Sequence, residues 1–242
     1  MYDREMLQCI NLAPFGSWMD EEMIEKEIID GFRNKVRSIV LEPCMIPMLQ
    51  KLKEQYGNGY TRVGMTLGYP YGGFTTQTKL MLMRYAVEMG VEEVDVGINI
   101  TAVRSGDYER AKEELLQIVE ASEGKVRIVG IGWLIRNSLE TTQKILDMFR
   151  ECGIRALKTN PGGHFGNMLV EHVAFAHKCA PEIEIEVAGR CRTRETAEAM
   201  KLAGASSFHL SSWRRMGGIG DDAQFDFDTK EAGYFPYLDR LE

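Results

Sequence analysis

Short apolar runs alternate along the chain with longer amphipathic stretches. The apolar runs are rich in Val and Ile and are bounded by Gly, Pro or polar residues, which is typical of buried strands. Between them, apolar residues recur at helical spacing. The pattern therefore predicts strands that alternate with helices from the beginning of the chain to residue 210.

The predicted strands are Cys9–Leu12, Val36–Glu42, Arg62–Leu67, Val94–Ile98, Val126–Ile131, Ile154–Lys158, Ile183–Ala188 and Ser207–Leu210. The predicted helices are Asp20–Phe32, Met45–Tyr56, Thr76–Met89, Asp107–Ala121, Ser138–Cys152, Asn167–Cys179 and Thr193–Ala203, and the tail at 217–242 is expected to close the structure, with a helix at its end. Such alternation calls for a parallel sheet with crossover helices. Eight units in 242 residues favour the α/β class and a single (β/α)8 TIM barrel, one domain over 1–242.

Composition excludes several classes of partner. The formal net charge of -7 and the pI of about 5.3 weigh against a nucleic-acid-binding protein. No apolar run approaches the roughly 20 residues that span a bilayer, so no membrane segment is expected. Five scattered cysteines indicate reduced thiols and a cytoplasmic protein. No GxGxxG follows the first strand, which weighs against a dinucleotide fold, and no cofactor is predicted.

The sixth predicted strand ends on Lys158, directly before the turn Thr159–Gly163. Barrels of this type place their chemistry at the carboxyl ends of the strands. A buried lysine loses its proton readily, and a neutral amine can attack a carbonyl carbon to form a Schiff base. The alternative is a lysine whose ammonium group simply reaches solvent at a strand end.

Strand alternation sorts the other side chains at this end of the barrel. It predicts a mouth lined by Glu42, Asp95, Lys158 and Glu186. Asp95 lies between two valines, where a carboxylate is costly unless it is paired. It is either a proton-handling acid beside Lys158 or one half of a structural salt bridge.

An anion site is expected after the seventh and eighth strands. The segment from Gly189 leads into a helix capped by Thr193, and helix amino termini and strand 7–8 loops favour phosphate. The candidate ligands are Gly189, Arg190, Arg192, Ser211 and Ser212, followed by Arg214 and Arg215. The alternative is a helix cap with solvated arginines.

The four histidines, His164, His172, His177 and His209, share no metal-ligand spacing. We interpret them as ordinary surface or helix-packing residues and predict no metal site.

The chain resembles the deoxyribose-phosphate aldolase family, class I aldolases built on a TIM barrel, from about Val36 to Trp213. The resemblance is carried by Gly68–Gly73 (GYPYGG), Arg84–Val96, Ser105–Tyr108, Lys158-Thr159 and Ala188-Gly189 with Arg192-Thr193. It implies that Lys158 forms the Schiff base, that Asp95 belongs to the proton relay, and that Gly189, Arg192, Ser211 and Ser212 surround a substrate phosphate. It also implies a small-molecule substrate and a homo-oligomer.

Several positions depart from the family pattern. Glu186 stands where the family has a second active-site lysine, and an ionised glutamate would hold the proton on Lys158. Arg190 replaces a glycine of the phosphate loop, Asn11 an acidic residue of the first strand, and Glu42 an aromatic or apolar residue. Trp133 replaces a small residue after the fifth strand. Changes concentrated at one face of a retained scaffold indicate either a changed substrate or a lost activity.

The leading hypothesis is a carbon–carbon lyase that acts on a small sugar phosphate or hydroxy-carbonyl compound through an imine on Lys158. In it, Asp95 moves protons, and Glu186 is an acid/base or binds a substrate hydroxyl. One alternative is a catalytically silent barrel that binds a sugar phosphate or a protein. The other is an isomerase or hydrolase that uses Asp95 and Glu186 without an imine.

Overall fold

A computed structural model describes residues 3–16, 19–162, 165–189, 191 and 193–222. Eight parallel strands form a closed barrel in chain order. They are β1 (Ile10–Leu12), β2 (Ser38–Leu41), β3 (Arg62–Leu67), β4 (Glu93–Gly97), β5 (Arg127–Ile131), β6 (Ala156–Lys158), β7 (Glu184–Val187) and β8 (Ala205–Leu210). Pairing of β8 with β1, which sets His209 beside Asn11, closes the barrel. The predicted (β/α)8 fold is confirmed.

In the part of the chain that the structure describes, seven longer helices cover the outside of the barrel: α2 (Glu21–Asn34), α3 (Ile46–Tyr56), α4 (Thr76–Glu88), α6 (Tyr108–Ala121), α7 (Leu139–Glu151), α8 (Val170–Cys179) and α9 (Arg194–Leu202). Three short helices are α1 (Arg4–Leu7), α5 (Ile100–Arg104) and α10 (Arg214–Gly217). The predicted caps Asp107, Ser138 and Thr193 each accept an amide N–H three residues on. None of the helices in the described ranges is both long and apolar enough to cross a bilayer.

The predicted boundaries differ from the structure where tertiary contacts intervene. The helix expected from Asn167 begins at Val170, because the Met168 N–H donates to the carbonyl of Gly189 across the barrel mouth. β6 begins at Ala156 rather than Ile154, whose N–H is bound by the carbonyl of Phe149. The expected closing tail at 217–242 lies outside the described residues from residue 223 onward, so the single-domain assignment stays a prediction.

The interior of the barrel is polar. Asn11, Ser38, Asp95, Lys158 and Glu186 are all buried, although branched apolar residues usually fill such interiors. Each costs free energy unless it is paired. The pairing of these side chains within the lumen therefore decides how much stability their burial costs.

Arginine and glutamate side chains form a network of ion pairs at the amino-terminal end of the barrel, where β2, β3, β4, β5 and β7 begin. Glu93 accepts from Arg62 at 3.0 Å and from Arg127 at 2.7 Å. Glu184 accepts from Arg127 at 2.9 Å and from Arg37 at 2.6 Å. Each of these two carboxylates is therefore paired with two arginines at this end of the barrel.

A buried ion pair outside the barrel supports the carboxyl end of β4. Lys79 of α4 donates to Glu114 of α6 at 2.5 Å and to the Gly97 carbonyl at 2.9 Å. Thr76 donates to the other oxygen of Glu114 at 2.9 Å. Because Gly97 lies two residues beyond Asp95, this contact fixes the strand end that carries the acid.

We predict that Glu114→Leu lowers the free energy of unfolding by about 3–5 kcal/mol, because it leaves the Lys79 ammonium group buried without a counter-charge. The double variant Lys79→Met/Glu114→Leu should recover most of this loss. Urea denaturation at pH 7 measures both values.

The matched control is Lys125→Ala, which breaks an exposed pair with Glu123 and should change stability by no more than about 1 kcal/mol. A Glu114→Leu effect as small as that of the control would show that the buried pair does not support the fold.

Candidate active site

Lys158 is the last residue of β6 and its side chain is 0% exposed. Its Nζ donates to Oδ2 of Asp95 at 2.8 Å. Asp95 is the central residue of β4 and is equally buried. Both side chains therefore point into the lumen, and the amine of Lys158 does not reach solvent as the alternative interpretation supposed.

Asp95 is poised to take up a proton. Burial raises the pKa of its carboxyl above the usual value, and the positive charge of Lys158 opposes this shift. Its Oδ1 atom has no hydrogen-bond partner in the part of the chain that the structure describes. A carboxylate in this setting can accept the proton that its neighbouring ammonium group must lose.

Glu186 contacts His209 and Asn11 rather than Lys158. Its Oε1 lies 2.9 Å from His209 Nδ1, and its Oε2 accepts from Asn11 Nδ2 at 2.5 Å. Ser38 donates to Asn11 Oδ1 at 2.8 Å, which orients the amide so that its nitrogen faces Glu186. The carboxylate in contact with Lys158 is that of Asp95, which is the partner expected from the sequence.

Burial raises the pKa of Glu186 to about 7, and the nearby Glu93 carboxylate acts in the same direction. Lys158 and Arg127 oppose the shift. Glu186 is thus partly neutral near pH 7. A neutral glutamate does not hold the proton on Lys158, so the reversal of charge at this position does not by itself disable the amine.

His209 is the residue that our sequence interpretation missed. It lies on β8 inside the barrel and not on a surface or a helix, so that interpretation was wrong. Burial, and to a lesser extent the positive charge of Lys158, lowers the pKa of His209 to about 3. The imidazole is therefore neutral. Its Nδ1 donates when Glu186 is ionised and accepts when Glu186 is protonated.

A cluster of four polar side chains results, since His209 Nδ1 also lies 3.6 Å from Oδ2 of Asp95, which is too far for a hydrogen bond. Its members are Lys158, Asp95, His209 and Glu186. The signal was present in β8, where Ser207 and His209 alternate with Phe208 and Leu210. The period-2 rule that placed Asp95 in the lumen also places His209 there.

Asp95, Glu186 and His209 also offer three possible metal ligands whose donor atoms lie within 4.8 Å of one another. Carboxylate and imidazole donors suit divalent transition metals. However, the Lys158 ammonium group already neutralises Asp95 at 2.8 Å, so a cation would have to displace it. The absence of a metal stays a prediction.

The residues predicted to hold an anion are only partly described. Gly189 has φ +122°, and a side chain there would press on the Gly166 carbonyl, so backbone geometry alone requires glycine. Ser211 and Ser212 follow β8 and are half-buried. Arg190 and Arg192 lie outside the described residues.

Glu42 follows β2 and is half-buried at the start of the short turn Pro43–Met45. The pKa of the Tyr69 phenol is raised to about 12, chiefly by burial and to a lesser extent by the negative charge of Glu42. Glu42 therefore lies near the aromatic turn after β3 and contributes negative charge to the mouth.

Arg214 and Arg215 both pair with carboxylates of the chain itself. Arg214 is buried against Glu27 and Asp30, with contacts of 2.7 and 2.9 Å, and Arg215 pairs with Asp221 at 2.6 Å. The carboxylate of Asp222 accepts the backbone N–H groups of residues 213, 214 and 215 at 2.9–3.0 Å. The beginning of α10 is thus already filled by the chain's own anion.

Comparison with known proteins places the chain in a family. It is 31% identical to the deoxyribose-phosphate aldolase of Clostridium novyi over 195 residues, 79% of this chain and 86% of the relative. It is 32% identical to that of Klebsiella pneumoniae over 74% of this chain and 72% of the relative. A scan against protein-family models found no match.

Solved structures share the fold. An aldolase named QR15 superposes with a TM-score of 0.82 at 22% identity, covering 88% of this chain and 94% of its own. A tetrameric deoxyribose phosphate aldolase from Aeropyrum pernix gives a TM-score of 0.81 at 20% identity, covering 89% and 91%. With the closed barrel, the inward-facing Lys158 and the relatives at 31–32% identity, the chain belongs to the deoxyribose-phosphate aldolase family of carbon–carbon lyases.

Proposed function

We propose that this protein makes or cleaves a carbon–carbon bond of a small hydroxy-carbonyl compound through a Schiff base on Lys158. The observation that carries the proposal is the contact of 2.8 Å between the Lys158 amine and Asp95 inside the closed barrel. It supplies a nucleophile and an adjacent proton acceptor at the carboxyl ends of the strands, where such barrels perform chemistry.

In the proposed reaction, Asp95 takes the ammonium proton and the neutral amine attacks the substrate carbonyl carbon. Asp95 then returns a proton to the carbinolamine hydroxyl, which leaves as water to give an iminium ion. Loss of the β-hydroxyl proton breaks the carbon–carbon bond, and its electron pair forms an enamine. Protonation of the enamine carbon and hydrolysis of the resulting iminium regenerate Lys158.

We assign the β-hydroxyl proton to the pair Glu186 and His209. A group with a pKa of about 7 exchanges protons most effectively near neutral pH. The neutral imidazole transfers the proton, since its tautomer follows the protonation of Glu186. This pair would replace the cation that the family has at position 186.

The relatives' name specifies deoxyribose phosphate, whose aldol cleavage yields a two-carbon aldehyde donor and a phosphorylated acceptor aldehyde. We propose the same donor chemistry for this chain, with an acceptor that differs from the family's. We further propose that the protein is cytoplasmic and that it forms a homo-oligomer. Light scattering on the purified protein would test the oligomeric state.

We predict that acetaldehyde with cyanoborohydride leaves a stable ethyl adduct on Lys158, because reduction traps the imine. Peptide mass spectrometry locates the adduct, with the exposed lysines Lys125 and Lys201 in the same digest as internal controls. Lys158→Met should abolish turnover while circular dichroism stays unchanged.

Labelling spread evenly over surface lysines would contradict an activated Lys158. Substantial turnover by Lys158→Met would instead favour the imine-free alternative, in which the carboxylates of Asp95 and Glu186 act together. Ligand binding without turnover in the unmodified protein would favour the silent barrel.

We predict that Glu186→Gln removes a pH dependence of stability. The native pKa is raised from 4.5 to about 7, so the native state binds the proton more tightly than the unfolded state. This stabilisation is fully present below pH 4.5 and is lost as pH rises through 7. The difference in unfolding free energy between wild type and Glu186→Gln should change by about 3 kcal/mol between pH 4.5 and pH 8.

Glu184→Gln is the matched control on the same strand. Although burial opposes it, Arg127 holds the pKa of Glu184 below its usual value, so its stabilisation is lost only as pH falls below 4.5. Urea denaturation across pH 5–8 should show the wild-type slope for Glu184→Gln. An unchanged slope in Glu186→Gln would rule out its titration near neutrality.

A further inference from the structure

Three aromatic side chains, Tyr71, Trp133 and Phe165, form an aromatic wall at the carboxyl end of the barrel. They follow β3, β5 and β6, and each ring contacts the other two. The Tyr71 and Trp133 rings stack at 5.6 Å and 15°, while Phe165 meets them edge-on at 5.7 and 5.0 Å. Three separate loops thus converge on one apolar surface at the catalytic end.

The backbone fixes Trp133 beside the nucleophile. The Gly132 N–H donates to the carbonyl of Lys158 at 2.9 Å, and the Leu134 N–H donates to that of Thr159 at 2.8 Å. Trp133 lies between these two anchors with φ +55°, a left-handed conformation that is rare for a bulky residue. Such conformations persist where the surrounding structure holds them, and they cluster at ligand sites.

The turn that carries Tyr71 is held as firmly. Gly72 has φ +65°, and a side chain on it would overlap the Ile98 carbonyl, so the turn packs directly on the end of β4. Tyr71 is nonetheless 58% exposed. A rigid turn that presents an exposed ring over the mouth is suited to contact with a ligand.

The indole N–H of Trp133 points to a ligand independently of the rings. Trp133 is only 6% exposed, yet its Nε1 has no hydrogen-bond partner within the described ranges. Buried indole N–H groups usually find an acceptor. Trp213, also buried, follows this rule and donates to Glu27 at 2.9 Å. The acceptor for Trp133 is therefore expected to arrive with a substrate.

We propose that the aromatic wall binds an uncharged acceptor aldehyde with an apolar or aromatic substituent, and that the Trp133 N–H donates to an oxygen of this acceptor. The proposal rests on the proposed Schiff-base function. The carbon of the donor enamine on Lys158 attacks the aldehyde carbon, and the aldehyde oxygen takes a proton from Glu186 and His209. Water then hydrolyses the iminium, releasing the aldol product and the free amine.

Two further observations favour an uncharged acceptor over a phosphorylated one. The backbone N–H groups at the beginning of α10 are filled by Asp222, and Arg214 is bound to Glu27 and Asp30. Glu42 adds negative charge near the aromatic turn, where it raises the pKa of Tyr69. A phosphate dianion gains little from these groups, whereas an aromatic ring stacks on the wall.

The test is a competition between 3-phenylpropanal and glyceraldehyde 3-phosphate as acceptors, with acetaldehyde as donor. Wild type should prefer 3-phenylpropanal by about tenfold or more in kcat/KM. Trp133→Phe keeps a ring but removes the N–H, and Tyr71→Ala removes the exposed face. Both should lower this preference at least about fivefold, chiefly because the aromatic aldehyde binds more weakly and its KM rises.

Phe74→Ala is the matched control. Phe74 follows the same strand as Tyr71 and is 48% exposed, but it makes no ring contact with the described aromatic residues. Its removal should leave the preference unchanged within about twofold. Cyanoborohydride trapping of acetaldehyde on Lys158 should be equal in wild type, Trp133→Phe, Tyr71→Ala and Phe74→Ala.

The outcomes separate the two proposals. Normal trapping on Lys158 with the same acceptor preference in all four proteins would overturn the aromatic wall and leave the Schiff-base function standing. If trapping fails in every protein, the proposed function fails. In that case the aromatic wall is tested by the binding of the unreactive 3-phenylpropan-1-ol, measured by tryptophan fluorescence. A fluorescence change in wild type that is lost in Trp133→Phe supports binding at the wall, and the absence of binding overturns it.

Discussion

The proposed chemistry depends on a buried ion pair between Lys158 and Asp95, enclosed by a barrel that β8 and β1 complete. Withdrawing two charges from water is costly, and apolar residues of the same volume would often be more stable. The pair is therefore poor as a device for stability. A buried amine and carboxylate in contact can exchange a proton directly, which is the role that we propose for this pair.

The two ends of the barrel treat charge in opposite ways. At the amino-terminal end, Glu93 and Glu184 each pair with two arginines, although Oε1 of Glu93 has no hydrogen-bond partner among the described residues. At the carboxyl end, Asp95 keeps one oxygen without a partner among the described residues, and the pKa of Glu186 is raised to about 7 by burial. The charges at the amino-terminal end still affect Glu186, since Glu93 raises its pKa while Arg127 opposes this shift. Fixed charges at one end thus help to set proton affinities at the other.

The departures from the family pattern form a coherent set. Glu186, where the family resemblance leads us to expect a lysine, has His209 and Asn11 as hydrogen-bond partners. Trp133 in place of a small residue completes an aromatic surface with Tyr71 and Phe165. Together these changes alter the side chains at the mouth of the barrel, while the scaffold and the Lys158–Asp95 pair remain.

Local rules were enough to predict the scaffold and the lumen-facing positions of Lys158, Asp95 and Glu186, because strand alternation and helix caps are properties of neighbouring residues. The same rules applied to β8 would have placed His209 in the lumen. What only the tertiary structure decided is which groups meet: Glu186 with His209 and Asn11 instead of Lys158, Arg214 with Glu27 instead of a phosphate, and three aromatic rings from three loops. These contacts join residues far apart in the chain, and burial, which sets their proton affinities, exists only once the barrel has closed.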